Sequence, residues 1–218
     1  MEEMILYHGS QEIVRKPLFG KGKKHNDYGL GFYCTENVDL AKEWSVKKNC
    51  DGFINEYSLD VLNLKILYLN SLPILCWLAV LIENRIFDSY SEFSEEAKSY
   101  LLSNYLPKYR EYDVIIGYRA DDSYFSFAQA FLDGSLSLRN LEKAMHLGNL
   151  GEQVVLISEK AFNQLTFLKY ENVKSYFWYQ RKQQRDLQAR RKYFELKNEN
   201  IKEDDIFIID LIRGRVKL

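Results

Sequence analysis

Strand-like and helix-like segments follow one another in this chain without the regular β-α-β alternation that a doubly wound sheet requires. Residues 4–8 form a short apolar run ending in His-Gly-Ser, and 31–35 read as a short aromatic strand. Asn37 is placed to cap a helix over 38–48, with Val38, Ala41 and Trp44 on one stripe. Residues 53–59 alternate as a strand. Ser71 precedes an apolar helix over 72–86, and a more acidic helix covers 91–106. A short buried strand at 113–117 leads to helices at about 123–132 and 137–146. A continuous apolar strand at 153–158 and a helix at about 159–165 follow. A basic helical segment at 174–197 and a strand at 205–212 complete the pattern. The expectation is an α+β fold.

Two regions depart from that pattern in composition. Residues 15–28 hold Pro17, Gly20, Gly22, four Lys and the pair Asn26-Asp27, the chemistry of an exposed loop. Residues 174–197 carry eight Lys/Arg against two Asp/Glu, although the whole chain has a formal net charge of −1. Any attraction for nucleic acid or anionic lipid is therefore local. The longest apolar stretch, Leu72 to Ile82, spans about half a bilayer and reads as a buried helix. The start lacks the basic and apolar regions of a signal peptide. Three cysteines, Cys34, Cys50 and Cys76, have no metal-like spacing. These features imply a cytoplasmic protein with no membrane partner and no metal.

Three segments carry possible chemistry: Leu6-Tyr7-His8-Gly9-Ser10, Gly29-Leu30-Gly31-Phe32-Tyr33-Cys34-Thr35, and Gly151-Glu152-Gln153-Val154-Val155-Leu156. Taken singly, each has a structural explanation. His-Gly-Ser commonly ends a strand, Phe32-Tyr33 suits a core, and Cys34 beside Tyr33 reads as core. Glu152-Gln153 suits an exposed strand edge. Gly29 and Gly31 lack the third glycine and the helix of a dinucleotide-binding loop.

Together, in this order, the segments resemble the ADP-ribosyltransferase superfamily, in its His-Tyr-Glu branch with the poly(ADP-ribose) polymerases and diphtheria toxin. Trp44 stands at the family's spacing, eleven residues after Tyr33. The chain is similar, more narrowly, to an uncharacterised bacterial family within that superfamily. Asp27-Tyr28-Gly29-Leu30-Gly31-Phe32-Tyr33, Asp113 to Gly117 with Ala120-Asp121-Asp122, and Gln153 are also shared with it. The resemblance covers roughly residues 5–168.

That resemblance implies a split, mostly antiparallel two-sheet core over 1–170, with helical insertions at about 71–106 and 123–146. A basic helical extension with a terminal strand, 171–218, would pack on the same domain. The implied activity is mono-ADP-ribosylation of a protein or nucleic acid with NAD as substrate, as in a bacterial toxin or phage-defence effector with a cognate antitoxin or regulator. His8, Gly9, Ser10, Gly31, Tyr33, Trp44 and Arg119 would bind NAD, with Tyr33 and Trp44 stacking on nicotinamide. His8 and Tyr33 also count as catalytic. The third catalytic position is Gln153 in the frame of the bacterial family, or Glu152 after a one-residue shift. Such a shift exchanges the two strand faces, and both faces are apolar here. Asp121 would contact the acceptor; outside the resemblance, the basic segment 174–197, where aromatics interleave with arginines, offers Arg185, Arg190 and Arg191 for the same contact. Arg119, Asp121 and Asp122 also suit a plain helix N-terminus, and the basic helix a plain solvated face. A neutral Gln153 equally suits a catalytically weak NAD- or ADP-ribose-binding module. The basic helix alone suits a nucleic-acid-binding protein.

Overall fold

The computed structural model describes residues 3–87, 91–120, 122–146 and 151–216. Among these residues, seven strands form two sheets. The first has three antiparallel strands in the order β1 (Glu3–Ser10), β3 (Gly52–Asp60), β7 (Leu165–Val173). The second runs β2 (Phe32–Cys34), β6 (Glu152–Leu156), β5 (Val114–Tyr118), β4 (Ile66–Tyr68), with only β4 and β5 parallel. A backbone bridge links the two: Tyr7 N–H donates to Thr35 O at 2.8 Å, and Thr35 N–H returns to Tyr7 O at 3.0 Å. The mixed architecture with two largely antiparallel sheets agrees with the sequence reading.

Packing explains which segments became strands. Val154, Leu156, Val114 and Ile116 face the first sheet and meet Leu6, Tyr57 and Leu59. Val155 and Ile115, pointing the other way, join a larger core with Trp77, Leu78 and Leu81 of α2 (Ile74–Asn84). Phe127 and Phe131 of α4 (Asp122–Leu132) lie in the same core, beside α3 (Glu92–Tyr105) and α5 (Leu138–Met145). Strand β6 is thus buried on both faces, which is why its sequence is a continuous apolar run.

Helix α1 (Val38–Ser45) begins at Asn37, whose side chain accepts from the N–H groups of Asp39 and Leu40. It lies directly on β1 and β3. A Cβ on Gly9 would stand 2.0 Å from Ala41 O, and one on Gly52 2.0 Å from Ser45 O. Two glycines therefore let the helix backbone touch the sheet. Helices α6 (Glu159–Asn163), α7 (Ser175–Lys197) and α8 (Ile208–Ile212) complete the chain.

Two expectations are corrected, and one strand is added. Residues 205–212 contain helix α8 rather than a strand. Ile208 and Leu211, one turn apart, are buried, and the Asp210 carboxylate accepts from Phe207 N–H at 3.1 Å. A short apolar stretch such as Ile206 to Ile209 fits either element by periodicity alone. Ser71 ends a 3-10 turn, and the apolar helix starts after Pro73, a residue suited to a helix start. Strand β7, unread in the sequence, is an exposed edge, with a bulge at Leu168 where the pairing steps from Glu56–Lys169 to Tyr57–Phe167.

The C-terminal extension is packed, not detached. Ser175 N–H and Lys174 both bond Asp51, Tyr193 stacks on Phe127 at 3.8 Å, and Arg139 holds Asp205 by two 2.7 Å bonds. Among the described residues no helix is long and apolar enough to cross a membrane.

Candidate functional site

A cavity of about 590 Å³ opens where β1, β2 and the end of β6 converge. His8, Gly31, Tyr33, Trp44, Arg119 and Gln153 line it. The loop from Val14 to Gly22 forms one side, and Asn26, Asp27 and Arg85 complete the polar wall.

His8 sits near the end of β1 against the Phe32 ring, with centroids 4.5 Å apart. Its Nδ1–H donates to Tyr33 O at 2.7 Å, which leaves Nε2 as the acceptor. Burial pulls its pKa below 6.5, and the Tyr33 carbonyl opposes that shift without cancelling it. The ring is therefore neutral at pH 7. Tyr33, on β2, is fixed at its far end: its OH donates to Gly29 O at 2.7 Å and accepts from Tyr28 N–H at 3.0 Å. Gly29 holds φ at +75°, a turn that any other residue would strain. Burial raises the Tyr33 hydroxyl far above its ordinary range, so it acts only as a hydrogen-bonding phenol.

The register of β6 decides which of its first two residues faces the cavity. Tyr33 pairs with Val155, and Gly117 with Gln153, so Gln153, Val155 and Tyr33 share one face. Gln153 is 3% exposed. Its amide nitrogen donates to Asp27 Oδ2 at 3.0 Å and to Tyr118 O at 3.2 Å. Both partners are acceptors, so the NH₂ must point at them and the oxygen is left to accept. Glu152 projects the opposite way, exposed, with its carboxylate on the Asn70 amide. Asn70 Oδ1 in turn accepts from Tyr118 N–H, so Glu152 braces the end of β5 from outside the cavity.

Asp27 is the residue that sequence reasoning passed over. It stands in a stretch with the composition of an exposed loop, yet it is 5% exposed and is the one carboxylate in the cavity wall among the described residues. Oδ1 meets Arg85 Nη1 at 3.1 Å, and Oδ2 accepts from Ala120 N–H at 2.9 Å as well as from Gln153. Burial pushes its pKa up, while Ala120, Arg85, Gln153 and Arg119 pull it back. Its only signal in the sequence was its place beside Tyr28-Gly29.

Trp44 and Arg119 meet in the wall, with the guanidinium 4.5 Å from the indole centroid. Trp44 thus offers the cavity one ring face at most, and its indole N–H is buried with no hydrogen-bond partner.

Other expected contacts fall elsewhere. Gly9 lies against α1 and outside the cavity wall. Ser10 Oγ donates to Glu12 O and accepts from the Asn55 amide at 3.1 Å, so it secures the loop. Asp121 lies outside the described residues. Arg191 is exposed on α7. Arg185 is mainly structural: its Nη2 stands 2.6 Å from the buried Glu43 of α1. Arg190 pairs with Asp186 at 3.1 Å, one turn away. Both Arg185 and Arg190 line a second cleft that shares Arg85, Arg119 and Ala120 with the first.

A family model matches residues 4–167, and the family is described as a protein of unknown function, DUF3990. No curated protein and no solved structure matches the chain.

Proposed function

The chain belongs to the DUF3990 family, whose description carries no activity, and from its cavity we propose that it is an NAD-dependent mono-ADP-ribosyltransferase acting on a macromolecule. The observation that carries this reading is the meeting of His8, Tyr33, Trp44 and Gln153, from four separated segments, around one cavity. Their order and spacing are those of the ADP-ribosyltransferase superfamily, which the chain resembles.

The residues present fit NAD. Trp44 lends the cavity a ring face beside Arg119, suited to stacking on a planar group. Neutral His8 presents an acceptor to a ribose hydroxyl. The Tyr33 ring is immobilised at both ends and suits stacking, worth around 1 kcal/mol. Arg85 and Arg119 supply positive charge for a diphosphate. The volume falls within the range of small-molecule sites.

Bound NAD would supply a glycosidic C–N bond whose cleavage builds positive charge on the ribose. The chain answers that charge through Gln153 and Asp27 in series. The carboxylate accepts from the amide NH₂ and polarises it, so that the amide oxygen becomes a stronger acceptor for a hydroxyl. This is weaker than a carboxylate in direct contact, in keeping with single rather than repeated transfer. A non-catalytic NAD- or ADP-ribose-binding module is the second reading, favoured by the neutral amide at this position.

Labelled NAD incubated with the protein and a cell lysate separates the two. Transfer predicts label in protein or nucleic acid, whereas binding alone leaves NAD intact. His8→Ala and Tyr33→Ala should each weaken NAD binding or turnover at least tenfold while the protein stays folded. Wild-type NAD affinity in both, by calorimetry, would sink the reading.

A further inference from the structure

Beside the first cavity, the second cleft of about 420 Å³ runs between α7 and the Arg85–Arg119 corner. Five cationic side chains line it, Arg85, Arg119, Lys182, Arg185 and Arg190, against one carboxylate, Asp186. The molecule as a whole carries a formal charge of −1, so this is a local concentration of positive charge. Tyr179, Lys182, Gln183, Asp186 and Arg190 fall at i, i+3, i+4, i+7 and i+11, which puts them on one face of α7. Arg185 spends Nη2 on Glu43, while its Nε and Nη1 are buried without a hydrogen-bond partner. Held there by Glu43, Arg185 adds a fixed positive charge to the cleft wall.

We propose that this cleft binds single-stranded nucleic acid, with phosphates along the Lys182–Arg190 face and a base directed toward the first cavity at Arg119 and Ala120. Three observations select this ligand. From Lys182 to Arg190 the helix advances about 12 Å, room for roughly three successive phosphates at stacked spacing. A diphosphate, with both phosphorus atoms on one bridging oxygen, covers only part of that length. Tyr179 adds an aromatic ring among the cations, the combination on which bases stack while guanidinium groups hold phosphates. The cleft joins the first cavity at Arg85, Arg119 and Ala120, and a base on a strand held in the cleft can reach into that cavity only when unpaired. The proposal rests on the transfer reading only in making this strand the acceptor; binding itself is separate.

The test uses the full chain, a fluorescein-labelled 12-nucleotide single strand, and anisotropy over a range of salt. Wild-type protein should bind, with affinity falling as salt rises. The double variant Lys182→Gln/Arg190→Gln should bind at least tenfold more weakly, with the salt slope flattened by about 0.7 per lost phosphate contact. Lys182→Arg/Arg190→Lys should restore most of the affinity, which a folding defect would not allow. NAD affinity by calorimetry should stay within twofold in the Gln variant. Absence of strand binding at low salt overturns the proposal. So does equal competition by a polyglutamate peptide, which would mark a protein partner. A matching loss of NAD affinity would make the cleft part of the NAD site and overturn it as well. If the strand binds as described but no label passes from NAD to nucleic acid, the transfer reading falls and the binding site stands.

Discussion

The His8 ring is buried against Phe32, and its Nδ1–H is committed to the Tyr33 carbonyl. Because its folded pKa lies below 6.5, the unfolded chain binds the proton first. The His8 contribution to stability is therefore intact above pH 6.5 and declines as pH falls through the window down to the depressed value. Ligand affinity should fall in the same window, since protonation turns Nε2 from acceptor to donor. An NMR titration of the His8 ring, run beside calorimetry with NAD, checks both. The choice between Glu152 and Gln153 was open in a sequence whose two faces are equally apolar, and strand pairing orients them. Gln153→Ala should cut turnover by about a hundredfold, the scale of a lost preorganised donor or acceptor. Glu152→Ala should act mildly, through the brace on Asn70. Asp27→Asn removes the charge behind Gln153 and should lower kcat more than it raises KM. Equal kinetics for Asp27→Asn and wild type would remove Asp27 from the mechanism.

Elements with a sustained buried face are more legible in the sequence than those that are exposed or very short. Helix α1 announced itself by Asn37 and its apolar stripe, and β3 by alternation. Strand β7 exposes most of its side chains and offered no pattern, while α8 is too short for one. The reason for Gly9 also lay out of reach, because the group it makes room for is the backbone of a helix thirty residues on. Gly9→Ala would drive a methyl to 2.0 Å from Ala41 O, where a backbone cannot yield as a side chain can. About 1–3 kcal/mol of stability should be lost, the usual range for overpacking. Trp44, carried on α1, would shift with the helix. Denaturant unfolding measures the first effect and NAD affinity the second. A wild-type midpoint would show that α1 is not seated on β1 as described.

Across the molecule, the C-terminal helix is tied to the core through charge. Glu43 is 3% exposed on α1 and faces Arg185 at 2.6 Å, with Arg181 at 3.7 Å. Burial raises the Glu43 pKa and the arginines oppose it. Arg185→Ala should cost about 3 kcal/mol, since it strands a buried carboxylate with one weaker partner. As pH falls through the raised Glu43 pKa, protonation removes the stranded charge, and the gap to wild type should narrow. Thermal melts at two pH values test this, and a gap that widens in acid would contradict it. The sequence showed the basic run of 174–197 as a block of charge but could not divide it. The fold assigns Arg185 mainly to the core, Arg190 to the cleft and Arg191 to the surface.

That pairing crosses the limit of the family match, because Glu43 lies inside residues 4–167 and Arg185 outside. Relatives that carry α7 should therefore change the two positions together. In a relative without α7 the acid at position 43 would open to water and need no partner. A lineage that keeps the acid must keep a base to meet it, whatever else drifts along that helix.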